Sequence, residues 1–366
     1  PEVMKYSPKN KPRPFTLFAV LFVNLITLLA SDAQRTSSAL VGWGANNFGE
    51  LNIPAEIQGK IISVAAGGYH VVALLNDGTV RCWGAGKIKT SDHPNFGQSK
   101  PPSFSQPVLA VAAGFYHSLA LLSDGTVVAW GAGSSLEDPN PSNGQATVPS
   151  ELANPSTAKV VKIVAGSWSS FAVRQNGTVV GWGGLPFGLQ VPPDLVGVRD
   201  LSVSHTHAIA LKQDGKIVCW GNNEFEQCVI PANLPPVVQV AAGYYSSAVV
   251  LADGSMRWWG STSNLPGLPF TPPGVAKVAL GTRALVVLKT NGEVEGRGIT
   301  VPLEAQNASD IAVGGTYDLS PFALALKPVK TEIAEYIEAN PGATIIVDAT
   351  PKSNEAGPYT YRWYFD

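Results

Sequence analysis

The sequence is short of charged residues, which make up 14% of its 366 residues. Ordinary soluble domains carry roughly 25%. Long solvent-exposed helices need Lys and Glu on their outer faces, so the composition argues against a mainly helical protein. Glycine and proline are abundant instead, with 37 and 29 residues. This balance indicates an all-β fold built from many short strands joined by turns.

The sequence also lacks the patterns that carry nucleic-acid binding, metal binding or catalysis. No basic cluster follows residue 33, and nucleic-acid surfaces need such a patch. No nucleophile elbow, phosphate loop or paired-carboxylate motif occurs. We therefore expect a non-enzymatic protein with no cofactor, no metal and no nucleic-acid partner.

The three cysteines, Cys82, Cys219 and Cys228, do not have the spacing of a metal site. Cys82 and Cys219 each precede a Trp-Gly pair, so we expect them to be buried. A bridge between Cys219 and Cys228 is the alternative in an oxidising compartment.

One long apolar run, Phe15–Ala30, follows four basic residues and precedes the small residues Ser31 to Ala33. Its 16 residues are fewer than the roughly 20 that a membrane-spanning helix needs. The pattern is typical of a cleaved secretory signal, with a membrane anchor as the alternative. We predict a signal peptide over residues 1–33, no membrane insertion after its cleavage, and a secreted or cell-surface location, periplasmic or extracellular.

A Trp-Gly pair recurs at intervals of 38 to 52 residues and organises the middle of the chain. An Asp-Gly or Asn-Gly pair precedes each recurrence by a few residues, and such pairs favour tight hairpin turns. Each unit therefore reads as a three-stranded meander: apolar strand, loop, second strand, turn and a third strand ending at Trp-Gly. The tryptophans of these pairs are Trp43, Trp83, Trp130, Trp182, Trp220 and Trp259.

Units of this length that contain three or four strands stack radially into a β-propeller. The unit that begins at Ile311 lacks its third strand, whereas Ser38–Gly44 reads as a strand with no meander before it. We expect the strand Ser38–Gly44 to complete the unit that begins at Ile311. The prediction is a seven-bladed β-propeller over residues 34–327, closed by the N- and C-terminal strands, with the six tryptophans locked between blades.

The pattern stops after Lys327, and residues 328–340 are predicted to be a linker. Ala343–Ala349 and Tyr359–Phe365 read as two strands, and Tyr361 to Tyr364 resembles the core-tryptophan strand of bacterial immunoglobulin-like domains. We predict that residues 341–366 are the start of an incomplete immunoglobulin-like domain.

The most complete unit, VAAGFYHSLALLSDGTVVAWG at Val111–Gly131, resembles the regulator of chromosome condensation repeat family. The resemblance covers residues 38–327 and implies a seven-bladed propeller sealed by terminal strands. The short units and the segment Trp43–Glu56 are most similar to the secreted bacterial propellers of that family that inhibit β-lactamases. The resemblance thus implies a bacterial inhibitor of a secreted enzyme as one alternative function, and guanine nucleotide exchange as another.

Strands alternate in direction in a meander, so the Asp/Asn-Gly turns share one face of the propeller and the loops after each first strand share the other. Those loops are rich in aromatic residues, which is the composition of a protein-binding hot spot. In the resembled inhibitors, comparable loops grip the enzyme. We predict a monomeric, non-catalytic scaffold whose aromatic loops bind a protein. The predicted contact residues are Tyr69, Phe115, Tyr116, Trp168, His205, Tyr244, Tyr245, Arg283 and Tyr317.

Two alternatives stay open for that face. The rings could pack against neighbouring loops, or the propeller could be an enzyme or a glycan-binding module that acts at its central channel.

His70, His117 and His207 occupy one repeat column that other units fill with Ser or Ala. We therefore expect them to make structural hydrogen bonds.

Overall fold

The computed structural model describes residues 37–87, 93–133, 143–153, 159–261, 263, 270–315, 321–329, 346–349 and 359–362. The predicted signal peptide, most of the predicted linker and Tyr317 lie outside the described residues. Within the described part of the chain, no helix is long and apolar enough to cross a membrane.

The predicted meanders are confirmed. Among the described residues, five repeat units form separate three-stranded antiparallel sheets, and the last unit, the N-terminal strand and the first unit form one six-stranded sheet. Short 3-10 turns at Ala55–Ile57, Pro186–Gly188 and Leu303–Ala305 lie between some of them. The strands are β1 (Ser38–Gly44), β2 (Ile61–Ala66), β3 (His70–Leu75), β4 (Val80–Gly84), β5 (Val108–Ala113), β6 (His117–Leu122), β7 (Val127–Gly131), β8 (Val160–Ala165), β9 (Ser169–Arg174), β10 (Val179–Gly183), β11 (Val198–Val203), β12 (His207–Lys212), β13 (Ile217–Gly221), β14 (Val237–Ala242), β15 (Ser246–Leu251), β16 (Met256–Gly260), β17 (Val275–Leu280), β18 (Leu285–Lys289), β19 (Val294–Arg297), β20 (Asp310–Gly314) and β21 (Phe322–Pro328).

Strand β1 completes the last meander. It pairs antiparallel with β21 along its whole length, from Ser38 opposite Pro328 to Gly44 opposite Phe322, and β21 pairs with β20. Its contact with β2 is limited to Ser38 opposite Ile61. The pairing of the first strand with the last unit therefore joins the two ends of the repeat array.

The core is divided among the interfaces between successive sheets. Trp130, for example, packs with Val72 and Leu74 of one sheet and with Ala120 and Leu122 of the next. Similar clusters join each described sheet to its neighbour, and one joins β21 and β1 to the sheet of β2, β3 and β4. Burial between sheets is thus the main apolar contribution to the fold.

Two further strands, β22 (Ile346–Ala349) and β23 (Tyr359–Arg362), pair antiparallel. They lie within the two strands read from the sequence, whose remaining residues are outside the described part of the chain. The immunoglobulin-like domain of which they would be part stays a prediction.

Candidate functional site

Five tryptophans each fasten an interface between neighbouring repeat units. The indole N–H of Trp130 donates to the backbone carbonyl of Gln98, which lies in the loop that leads into the same sheet, at 2.8 Å. Equivalent bonds run from Trp83 to Glu50 at 2.7 Å, from Trp182 to Gln145 at 3.0 Å, from Trp220 to Leu189 at 3.1 Å and from Trp259 to Gln227 at 2.9 Å.

The interfaces beside the last two units lack this bond. The indole nitrogen of Trp43 has no hydrogen-bond partner among the described residues. Arg297 stands where the other units have a tryptophan, and its guanidinium lies 3.6 Å from the centroid of the Phe270 ring, a cation–π contact.

Three buried histidines extend the tryptophan network. His117 Nε2 lies 2.9 Å from Ser170 Oγ, and that hydroxyl donates to the Gln145 carbonyl at 2.8 Å. The imidazole is therefore the donor to serine. His70 with Ser118 and His207 with Ser247 repeat the arrangement.

Burial lowers the pKa of His70 and His117 to about 3, and that of His207 to about 4. The three side chains are therefore neutral at physiological pH. They link neighbouring sheets and have no access to solvent.

A continuous path of ring contacts runs across one face of the repeat array. This is the face that carries the loop after the first strand of each unit. It is hereafter called the aromatic face. The path passes through Phe48, Tyr69, Tyr116, Phe115, His205, Tyr244, Tyr245 and Phe225, with Trp168 and Phe187 joined to it at His205.

His205 is the centre of this face. Its ring stacks on Phe115 at 6.1 Å and on Tyr244 at 5.2 Å, between centroids, and Trp168 meets it edge-on at 5.0 Å. Burial among these rings lowers the pKa of His205, so it presents a neutral, flat surface near pH 7. The four predicted contact residues Phe115, Trp168, His205 and Tyr244 are thus brought together, each partly exposed.

Tyr245 continues the face away from that centre. Its ring lies 4.3 Å from Tyr244 and 4.3 Å from Phe225, between centroids. Tyr245 is half-buried and Arg283 is exposed, so both side chains are accessible to a partner.

Tyr69 and Tyr116 are placed differently from the other predicted contact residues. Their rings stack at 5.3 Å and are only 3% and 7% exposed. His93 and Phe96, from the long loop between β4 and β5, pack edge-on against them. This loop covers the two tyrosines, so we remove them from the predicted contact surface and assign them to packing.

Sequence reasoning missed three exposed rings on this face. Phe48, Phe187 and Phe225 are 38%, 54% and 40% exposed. Each lies five residues after a Trp-Gly tryptophan. That common spacing is the sequence signal that could have found them. The residue two positions after each phenylalanine supplies the backbone carbonyl that accepts the indole N–H of the next Trp-Gly tryptophan.

A cavity of about 110 Å³ opens among the ends of the inner strands, and every repeat unit contributes to it. Its lining is mainly Gly, Ala, Ser and Thr, together with Phe115, His205 and Tyr244. The lining residues include no carboxylate and no amine. Among the described residues, no group of three potential ligands is placed to hold a metal.

Cys219 and Cys228 form a disulfide, which was the alternative left open by the sequence. It ties strand β13 to the loop that carries Phe225. Cys82 is a free thiol, and burial raises its pKa.

Residues 61–87, 108–135 and 198–227 match the family model described as the regulator of chromosome condensation (RCC1) repeat. Three segments of this chain are therefore similar to the RCC1 repeat. Each matched segment includes a complete meander or most of one, with its Trp-Gly strand. The three matches support the predicted repeat family over these residues, and the meanders they contain agree with it.

Solved structures support the same fold. Human WBSCR16 has 19% identity and a TM-score of 0.61, covering 80% of this chain and 99% of its own. Prp20p from Saccharomyces cerevisiae, whose binding to Gsp1p and histones has been described, has 21% identity and a TM-score of 0.60, covering 81% and 93%. The ectodomain of the Arabidopsis thaliana receptor kinase ACR4 has 16% identity and a TM-score of 0.52, covering 84% and 98%.

No curated protein sequence matches this chain. The identities to the solved structures are low, so these likenesses support the fold alone.

Proposed function

We propose that the chain is an exported, seven-bladed propeller that binds a partner protein through its aromatic face and has no catalytic activity. The observation that carries the proposal is the continuous path of rings centred on His205. Partly exposed aromatic residues on a rigid scaffold are the usual anchors of protein interfaces.

The surroundings of these rings favour a protein over a small-molecule substrate. The neighbouring cavity is small and has no carboxylate or amine in its lining. Its titratable side chains are His205 and the phenol of Tyr244, so no carboxylate or amine lies there to complete a catalytic acid–base pair with the imidazole. Prp20p, which shares the fold, has protein partners, Gsp1p and histones. A protein partner of this chain is consistent with that use of the fold.

Export is supported by two independent features. The N-terminal residues have the composition of a secretory signal, and the Cys219–Cys228 disulfide is of a kind that persists in oxidising compartments. The ACR4 structure is an ectodomain, so the fold is compatible with an extracellular setting.

In the test, the full mature chain first captures its partner from the extracellular medium of the source organism. The partner is then purified, and its affinity for the chain is measured by titration. Tyr244→Ala and Tyr245→Ala should each weaken binding by about 2 kcal/mol or more. Lys216→Ala is the matched control, because its side chain is 79% exposed beside the Asp214-Gly215 turn on the opposite face. Equal loss in all three variants, or no loss in the tyrosine variants, would contradict the proposal.

Inhibition of a secreted enzyme such as a β-lactamase is the narrower form of this proposal. Purified β-lactamase is then the probe, and its rate of substrate hydrolysis in the presence of the chain is the measurement. The narrower form requires inhibition that Tyr244→Ala weakens and Lys216→Ala does not.

A further inference from the structure

Phe187 has an unusual backbone conformation. Its φ is 57° and its ψ is 27°, which places a bulky residue in the left-handed region. That region is unfavourable for a side chain with a Cβ atom and is a marked departure for a large one. The following residue, Gly188, also has a positive φ, of 77°, so two successive residues are left-handed.

The equivalent residues of other loops do not share this conformation. Phe48, Phe96 and Phe225 occupy the same place before the carbonyl that accepts a tryptophan, yet their φ angles are not positive. Phe96 is buried, and Phe48 and Phe225 are less exposed than Phe187, which is 54% exposed. The strained residue is thus the one whose ring extends furthest into solvent.

Bonds within the loop fix the backbone that carries this ring. Leu189 is fully buried, and its carbonyl accepts the indole N–H of Trp220 at 3.1 Å. The N–H of Leu189 closes the turn on the carbonyl of Pro186 at 3.1 Å. Proline also restricts the backbone just before the ring, so little backbone freedom remains to be lost on binding.

The surroundings of Phe187 are apolar and neutral. The segment from Trp182 to Pro193 contains no charged residue. The nearest ring, His205, lies 6.0 Å away between centroids and is neutral near pH 7. An exposed ring on an uncharged surface is complementary to an apolar pocket, where the whole ring surface is removed from water.

We propose that Phe187 is the principal anchor of the partner interface and inserts its ring into an apolar pocket of the partner protein. This inference rests on the proposed function and adds the chemistry of the partner's site. The strained backbone is retained because it aims the ring outward, beside the rings centred on His205.

Two variants that remove the ring separate its two roles. Phe187→Gly relieves the backbone strain, whereas Phe187→Ala keeps it. A glycine variant of an ordered residue is ordinarily less stable than the alanine variant. Because only glycine relieves the strain here, the order should be reversed: in a thermal melt of the full mature chain, Phe187→Gly should unfold at a higher temperature than Phe187→Ala. The reversal requires no partner. A lower unfolding temperature for Phe187→Gly than for Phe187→Ala would overturn the strain argument.

Binding is then measured with the purified partner captured in the preceding experiment. Both variants should lose affinity about thirtyfold or more, despite their different stabilities. Leu303→Ala is the control, because Leu303 is 86% exposed and lies outside the aromatic face; it should bind as the wild type does.

The outcomes distinguish this proposal from the broader one. If Tyr244→Ala weakens binding and the Phe187 variants do not, the aromatic face binds the partner but Phe187 is not its anchor. If none of these variants weakens binding, both proposals fail. Sedimentation that shows a dimer dependent on Phe187 would overturn the partner-pocket proposal in favour of a second copy of the chain.

Discussion

Mild acid should destabilise the propeller because of the three histidines buried between its sheets. The folded state holds the pKa of His70 and His117 at about 3, against 6.5 for an ordinary histidine, and that of His207 at about 4. Between those values the unfolded chain binds more protons than the folded one. Stability is therefore fully present above about pH 6.5 and is lost as the pH falls towards the folded values.

The magnitude follows from the size of these shifts. One pH unit corresponds to about 1.4 kcal/mol for each group once the pH is well below the ordinary pKa, so each histidine removes about 2 kcal/mol between pH 7 and pH 5. The three together remove about 6 kcal/mol, which is a large part of the 5–15 kcal/mol that stabilises a typical domain.

Other groups can be separated from this effect. The turn aspartates, such as Asp77 and Asp124, have lowered pKa values, and their contribution is lost only as the pH falls below about 3.8. Burial raises the pKa of Glu50, which gives a dependence of opposite sign. A histidine variant compared with the wild type at each pH removes both contributions from the result.

The assay is urea unfolding followed by tryptophan fluorescence at pH 7, 6 and 5, on the wild type and on His117→Ser. Serine occupies the same repeat column at Ser169 and Ser246, so the substitution imitates the protein's own variation. The variant should lose about one third less stability between pH 7 and pH 5 than the wild type loses. Equal unfolding free energies for the wild type at pH 7 and pH 5 would refute the reasoning.

Three further predictions concern stability, and urea unfolding measures each one. Trp130→Phe should cost about 1 kcal/mol more than Trp43→Phe, because only Trp130 has an acceptor for its indole N–H; equal costs would contradict the role given to that bond. Replacing Cys219 and Cys228 by serine opens a loop with a sequence separation of 9 and should cost about 2–3 kcal/mol; unchanged stability would show that the disulfide is not formed. Gly114→Ala would place a methyl group 2.2 Å from the adjacent buried imidazole and should cost several kcal/mol; a stable variant would show that this histidine can move.

The repeat made most of the fold predictable. The Asp-Gly and Asn-Gly turns and the Trp-Gly pairs fix the register of each meander, and the separate strand predicted at Ser38–Gly44 has the same bounds in the structure. The pairing of β1 with β21 could be predicted because the unit that begins at Ile311 lacks its third strand and the strand Ser38–Gly44 has no meander before it.

The site was less predictable because loop length decides which rings stay exposed. Tyr69 and Tyr116 occupy the same columns as exposed rings, but the long loop that carries His93 and Phe96 covers them. The bonds that fasten the tryptophans end on backbone carbonyls, which leave little trace in the identity of the residue that supplies them. Leu189 and Gln227 serve equally.

The most direct test of the central proposal is amide hydrogen exchange of the full mature chain with and without its purified partner. The proposal predicts slowed exchange in the loops at residues 204–206, 243–245 and 186–189, and unchanged exchange at the turn Asp214-Gly215 on the opposite face. Protection confined to the turn face, or spread equally over both faces, would contradict it.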